Sequence, residues 1–223
     1  MGDFRKGEIL AILGAHVVLA PLWIAILAAG HDAGGTAFVL FLASRLAYVL
    51  YTGLALRAQD ESGWFTRRWG PEGGFRRFRG IVLTLMHNDV ITLVLVCWTS
   101  RGTINGSLPH WADPYLGILL VVAGLGIKTW AVRTLGGGAF YWRSFFIPPE
   151  KSHYVVEGPY RWFSNPMYTV GYAPMYGVAL LLRSMPGLIA ALAAQALVLV
   201  FYAWAERPHT ERMKVRDAGA GDA

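Results

Sequence analysis

The 223 residues are 55% hydrophobic and only 15% charged, with a net charge of +6 and a single cysteine. That balance argues against a water-soluble globular domain. Several apolar runs approach the roughly 20 residues that cross a bilayer, so the chain reads as an all-α, polytopic integral membrane protein. One cysteine leaves no disulfide framework and no cysteine-based metal site. The basic residues are spread along membrane-proximal loops and suit anionic headgroups rather than nucleic acid.

The first expected crossing, 9–29, follows Arg5 and Lys6 and carries His16. Its apolar stretch is too long for a secretory signal core, so it is read as a retained helix despite Ala28-Ala29-Gly30, which imitates a cleavage site. The second crossing, 37–56, carries Arg45. A basic loop follows, in which Trp64-Phe65-Thr66-Arg67-Arg68-Trp69 and Phe75-Arg76-Arg77-Phe78-Arg79 interleave rings with arginines in an interfacial pattern. The third crossing, 81–99, carries His87-Asn88-Asp89 and Cys97, the last read as core packing. The fourth, 115–135, contains Gly124-Leu125-Gly126 and Lys128.

Crossings five and six, 168–183 and 187–204, are separated by Arg183-Ser184-Met185-Pro186-Gly187. Pro174 and two glycines make the fifth a kinked helix against a pocket. Boundaries carry an uncertainty of about 2 to 4 residues. No linker or repeat divides the chain. It is read as one domain, 1–223, with N-terminal helices and a basic loop over 1–113 and a functional core over 114–215; the tail after Arg216 is expected to be loose.

Basic loops stay on the cytoplasmic side. Arg5, Lys6, Arg57, Arg67, Arg68, Arg76, Arg77, Arg79, Arg133, Arg143, Lys151, Arg161, Arg207, Arg212, Lys214 and Arg216 fall on one side of this topology, against Arg101 and Arg183 on the other. Both termini are then cytoplasmic, and an Ala- and Gly-rich composition points to a bacterial inner membrane.

Four crossings carry groups that lipid excludes. His16, His87 and Lys128 each sit about 7 residues from the cytoplasmic end, roughly 10 Å deep at 1.5 Å per residue, with Arg45 somewhat deeper. Asp89 is the acid available to pair with Arg45 or Lys128. A structural ion pair would explain any one of them. The shared depth favours a headgroup-sized cavity, with His16, Arg45, His87 and Lys128 lining a substrate site.

Polar motifs close both ends of the last hairpin: Gly158-Pro159-Tyr160-Arg161, Asn165-Pro166-Met167-Tyr168 and Gly171-Tyr172 before it, and Ala205-Glu206-Arg207-Pro208-His209 after it. A chain that crosses and returns must bring the two clusters together on one membrane face. Plainer readings exist for the parts: Glu206 as a helix-end carboxylate paired with Arg212, Asn165-Pro166 as a helix start, Gly124 and Gly126 as a close helix approach. No zinc-protease motif, Walker loop, GxSxG elbow or Rossmann fingerprint appears, which lowers hydrolysis and nucleotide-triphosphate chemistry.

The order Gly124-x-Gly126, Trp130-Ala131-x-Arg133-x-Leu135-Gly136, Gly158-Pro159-Tyr160-Arg161, Asn165-Pro166-Met167-Tyr168, Glu206-x-Pro208-His209 resembles the membrane phospholipid methyltransferases, especially phosphatidylethanolamine N-methyltransferase. It is similar, more distantly, to isoprenylcysteine carboxyl methyltransferase. The resemblance covers about residues 115–215, and the run from Asn165 to Tyr172 looks most like the fungal enzymes. Many relatives carry two consecutive acids where this chain has Glu206-Arg207; the fungal form also has a single acid before Pro-His.

The resemblance implies S-adenosylmethionine as methyl donor, bound near Gly124, Gly126, Asn165, Pro166, Met167, Tyr168 and Glu206. Its sulfonium needs aromatic or acidic surroundings and its carboxylate needs donors, which Tyr160, Tyr168, Glu206 and Arg161 or Arg207 can supply. A protonated amine acceptor must lose a proton before in-line attack, and Glu206, His209, Asp89 or His87 could take it; the sequence leaves these open. No metal is required. The expected activity is N-methylation of the phosphatidylethanolamine headgroup in the cytoplasmic leaflet. Carboxyl methylation of a prenylated or other lipidic substrate is the alternative within enzymes, and a small membrane transporter the alternative outside them. Oligomeric state is left open.

Overall fold

A computed structural model describes residues 23–25, 28, 32–105, 109, 111–136, 141–147, 157–163 and 165–221, with the side chains of 214 and 216–221 left aside. His16 and most of the first expected crossing lie outside the described residues. Within them the chain is helical, with no strand.

Helix α1, Ala33–Ser62, starts where the Asp32 side chain accepts the Gly35 N–H at 2.9 Å. It ends at Gly63, whose φ of 62° sends the chain straight into α2, Trp64–Thr99. A Cβ is disfavoured in this left-handed conformation, so glycine permits a one-residue reversal. Gln59 completes the turn: its Oε1 accepts the N–H groups of Phe65 and Thr66 at 3.0 and 3.2 Å, donors that the first turn of a helix leaves unpaired. The two helices therefore run antiparallel and in close contact.

The basic stretch expected as a loop is helical. Arginines and rings at mixed spacing hide its period, and Gly70, with φ 69° and ψ 167°, breaks it just before Pro71, so Trp64–Trp69 forms a short piece ahead of the long run. Proline fits at the start of the resumed helix.

Helix α3, Ala112–Leu135, packs on α4, Ala173–Leu181, through facing glycines. A Cβ on Gly117 would lie 2.7 Å from the Gly177 carbonyl oxygen, and one on Gly177 2.6 Å from that of Gly117, so the backbones touch. The fifth expected crossing is shorter than 168–183. Asn165 accepts from the Tyr168 and Thr169 N–H groups, Val170–Tyr172 adds a 3₁₀ turn, and Pro174 in the first turn of α4 fixes where the α-helix begins.

Helix α5, Met185–Phe201, is capped by the Ser184 hydroxyl, which accepts from Gly187 N–H at 2.9 Å. It passes through a π-helical turn, Tyr202–Glu206, into α6, Arg207–Gly221. Four runs are long and apolar enough to cross a membrane: Ala33–Ser62, Trp64–Thr99, Ala112–Leu135 and Met185–Met213, with Val170–Leu181 a shorter apolar helix. They coincide with four of the six expected crossings.

Sidedness of the helices also fits lipid. On α1, Leu46, Leu50 and Leu54 point outward, while Arg45, Tyr48, Thr52 and Leu56 are buried. Polar groups thus gather inside and large apolar groups outside, the reverse of a soluble bundle. Cys97 is buried beside Gly187. At one end of the bundle Arg183 pairs with Asp113 at 3.1 Å. At the other, Phe65, Phe75, Phe78, Trp142, Phe146 and Phe201 form a continuous aromatic cluster beneath the polar motifs.

Candidate active site

Glu206 is the last residue of the π-helical turn, which inserts one extra residue into the helix and so re-aims the side chains that follow. Its Oε2 accepts two hydrogen bonds, from the Tyr168 hydroxyl at 2.7 Å and from Trp142 Nε1–H at 2.9 Å. Trp142 reaches it from a residue held at φ 56°, a left-handed conformation unfavourable for a bulky side chain. Its ring packs edge-on against Phe78 and Phe201, which helps hold the indole against the carboxylate. Strain maintained at one residue by its surroundings is a mark of functional sites.

Tyr160, in the 3₁₀ turn Gly158–Arg161, belongs to the same neighbourhood. Burial, and then the negative charge of Glu206, push its phenol above its ordinary range. Its hydroxyl is buried without a hydrogen-bond partner among the described residues. One turn beyond Glu206, His209 stacks on Phe145 with ring centroids 3.7 Å apart, its Nδ1 2.8 Å from Asp60 Oδ1. Asp60 Oδ2 accepts from Arg212. Glu206 is therefore bound to Tyr168 and Trp142, and Arg212 to Asp60, so the plainer Glu206–Arg212 pairing does not form.

Deeper in the bundle lies a second cluster. Arg45, 1% exposed, donates to Asp89 at 2.8 Å, to the Tyr172 hydroxyl at 2.5 Å and to the Ala194 carbonyl at 2.6 Å. The Lys128 ammonium lies 5.7 Å from the Tyr172 ring centroid and makes no hydrogen bond among the described residues. Tyr168 and Tyr172 sit on one turn and so join the two clusters.

Residues 113–213 match the sequence model of the family described as phospholipid methyltransferase. Among similar curated proteins, the phosphatidylethanolamine N-methyltransferase of Podospora anserina is 38% identical over 140 residues, covering 60% of this chain and 14% of its own length. The proteins of that name from Scheffersomyces stipitis and Saccharomyces cerevisiae are 29% and 27% identical, over 62% and 60% of this chain and 17% and 15% of their own lengths. The chain thus spans about a sixth of these relatives. No solved structure matches it.

The matched segment gathers Tyr160, Tyr168, Glu206 and His209 at one end of the bundle, with Asn165, buried Pro166 and half-buried Met167 forming the turn that carries Tyr168. Arg161 is exposed, and Arg207 is exposed with its guanidinium on Glu211 at 2.7 Å. Gly124 lies against Pro174, while a Cβ on Gly126 would meet open space. His87 is exposed on α2, its Nδ1 2.7 Å from the Leu83 carbonyl. Sequence reasoning missed Trp142 as the second donor to Glu206, Asp60 as the partner of His209, and Tyr172 as the partner of Arg45. Of these, Tyr172 alone carried a signal, standing within the quoted motif.

Proposed function

We propose that this protein transfers methyl groups from S-adenosylmethionine to the amino headgroup of phosphatidylethanolamine. The observation that carries this reading is the Tyr168–Glu206–Trp142 constellation, in which two motif residues of the matched segment, Tyr168 and Glu206, meet the Trp142 indole. Glu206 Oε1 has no hydrogen-bond partner among the described residues, the Tyr160 hydroxyl is likewise unpartnered, and the rings of Tyr168 and Trp142 reach Glu206. A carboxylate oxygen amid aromatic faces suits a cation. S-adenosylmethionine, when bound, supplies an activated methyl carbon on a sulfonium; the chain's residues hold and orient it. Tyr160, Tyr168, Glu206 and the Asn165–Met167 turn would form its binding site, with Gly126 the open approach along α3 and Arg161 and Arg207 at the rim.

The lipid phosphate is assigned to Lys128. Its ammonium has no hydrogen-bonded counter-ion among the described residues, whereas Arg45 already makes three hydrogen bonds within the protein and serves to fix Tyr172. His87, exposed on α2, is assigned to the edge of the proposed lipid site, and His16 lies outside the described residues. The excess of Lys and Arg at this end supports a cytoplasm-facing site acting on the cytoplasmic leaflet, and composition supports a bacterial inner membrane.

The test offers reconstituted protein labelled methyl donor with either phosphatidylethanolamine or a prenylated cysteine carboxylate. Label in the ethanolamine headgroup alone supports the reading. Label in the carboxylate alone overturns it in favour of carboxyl methylation.

A further inference from the structure

Proton removal from the amine acceptor needs a base with a free lone pair near the cofactor site, and the structure treats the four candidates differently. Asp89 has its Oδ2 held by Arg45 at 2.8 Å, and its Oδ1, unpartnered among the described residues, belongs to that deeper cluster rather than to the Glu206 end of the bundle. His87 is exposed at the side of α2 with Nδ1 against its own helix. Glu206 gives one oxygen to two donors and, on the reading above, its other oxygen to the cation. His209 differs from all three. Its Nδ1 faces Asp60 Oδ1 at 2.8 Å, and its Nε2 is buried with no hydrogen-bond partner among the described residues.

A carboxylate oxygen only accepts, so Nδ1 carries the proton and Nε2 of the neutral ring keeps its lone pair. Stacking on Phe145 fixes the ring plane, and Arg212, donating to the second oxygen of Asp60, holds that carboxylate in place. An imidazole oriented by a carboxylate, with a bare nitrogen one helical turn from the cofactor carboxylate, is built as a base. An unpaired buried nitrogen costs stability in an unliganded protein, which a ligand N–H would restore.

We infer that His209 Nε2 accepts the proton of the substrate ammonium and that Asp60 is its positioning residue. This rests on the amine-methylation reading. One N–H electron pair stays on nitrogen as the proton passes to Nε2; that pair forms the new N–C bond, and the S–C pair returns to sulfur. The methylated product is an ammonium, the sulfur a neutral thioether, and the proton leaves His209 for water. Among the described residues, Asp60 from α1 bonds His209, Arg212 from its own helix bonds Asp60, Glu206 lies one turn earlier in the helix, and Phe145 contributes a ring without charge.

The test compares wild type, His209→Gln and Asp60→Asn in nanodiscs. Three readouts are taken: cofactor affinity by calorimetry, kcat per cofactor-binding site against pH, and the ring ¹⁵N shifts of His209. The inference predicts a wild-type ring protonated at Nδ1 alone, unchanged cofactor affinity in both variants, and kcat about 100-fold lower in His209→Gln. In Asp60→Asn it predicts a mixed tautomer and a lower kcat, because the ring loses the carboxylate that orients it. Unchanged kcat per binding site in His209→Gln, or a wild-type ring protonated at Nε2, overturns the assignment of the base while leaving the methyltransferase reading intact. Wild type that binds cofactor and methylates no amine overturns both.

Discussion

The Tyr168 hydroxyl donates to Glu206 Oε2 at 2.7 Å, joining the turn ahead of α4 to the π-helical turn after α5. That bond is the point at which the hairpin's two ends meet. Its loss in Tyr168→Phe removes a charge-assisted hydrogen bond worth about 1.5–3 kcal/mol. The expected outcome is a lowered unfolding midpoint together with cofactor binding weakened by about 10-fold or more in protein that remains folded, measured by unfolding in detergent and by calorimetry. A variant that binds as wild type assigns the bond to architecture alone.

Arg45 and Asp89 are expected to behave as a buried pair. Removing either leaves an uncompensated charge, so Arg45→Ala and Asp89→Ala should each cost about 3–5 kcal/mol. The double variant Arg45→Met/Asp89→Leu should recover much of that loss. A double-mutant cycle on midpoint denaturation checks it; additive losses would contradict the pairing.

The α3–α4 contact gives a sharper contrast within one helix. Gly117→Val drives a side chain into the Gly177 backbone and should destabilise by about 1–3 kcal/mol. Gly126→Ala enters open space and should leave stability unchanged. If Gly126 lies along the cofactor, that same variant weakens binding, so stability and affinity separate the two roles.

Much of this was legible in the chain. Apolar runs located α1, α2, α3 and α5 because a bilayer sets their length, and Asp89 was legible as the partner of Arg45 or Lys128 because it is the acid at that depth; the structure pairs it with Arg45. The hairpin argument brought Tyr168 to Glu206. Trp142 was not legible: it follows a glycine run in no periodic segment, and its indole reaches Glu206 through a left-handed backbone that no local pattern encodes. Asp60 was hidden among Arg57 and Glu61 at a helix end, where charges look alike until α6 is laid beside α1. The helical nature of 64–80 was masked by Gly70, Gly73 and Gly74, which read as loop punctuation although only Gly70 breaks the helix.

Lys128 should act on lipid and not on cofactor. Lys128→Gln is expected to raise the KM for phosphatidylethanolamine about 10-fold, with cofactor affinity unchanged and Lys128→Arg partly retaining function. Equal loss for lipid and cofactor would place the ammonium in the cofactor site instead.

The central claim is that one site, closed by Glu206, moves methyl groups to an ethanolamine headgroup. The most direct measurement incubates purified wild type and Glu206→Gln with methyl-labelled S-adenosylmethionine and phosphatidylethanolamine nanodiscs, then resolves the lipids by mass. The account predicts labelled mono-, di- or trimethylated ethanolamine lipid with wild type and at least a 100-fold loss with Glu206→Gln, about 2.7 kcal/mol of transition-state stabilisation. Cofactor binding by wild type with no label in any lipid amine would contradict it.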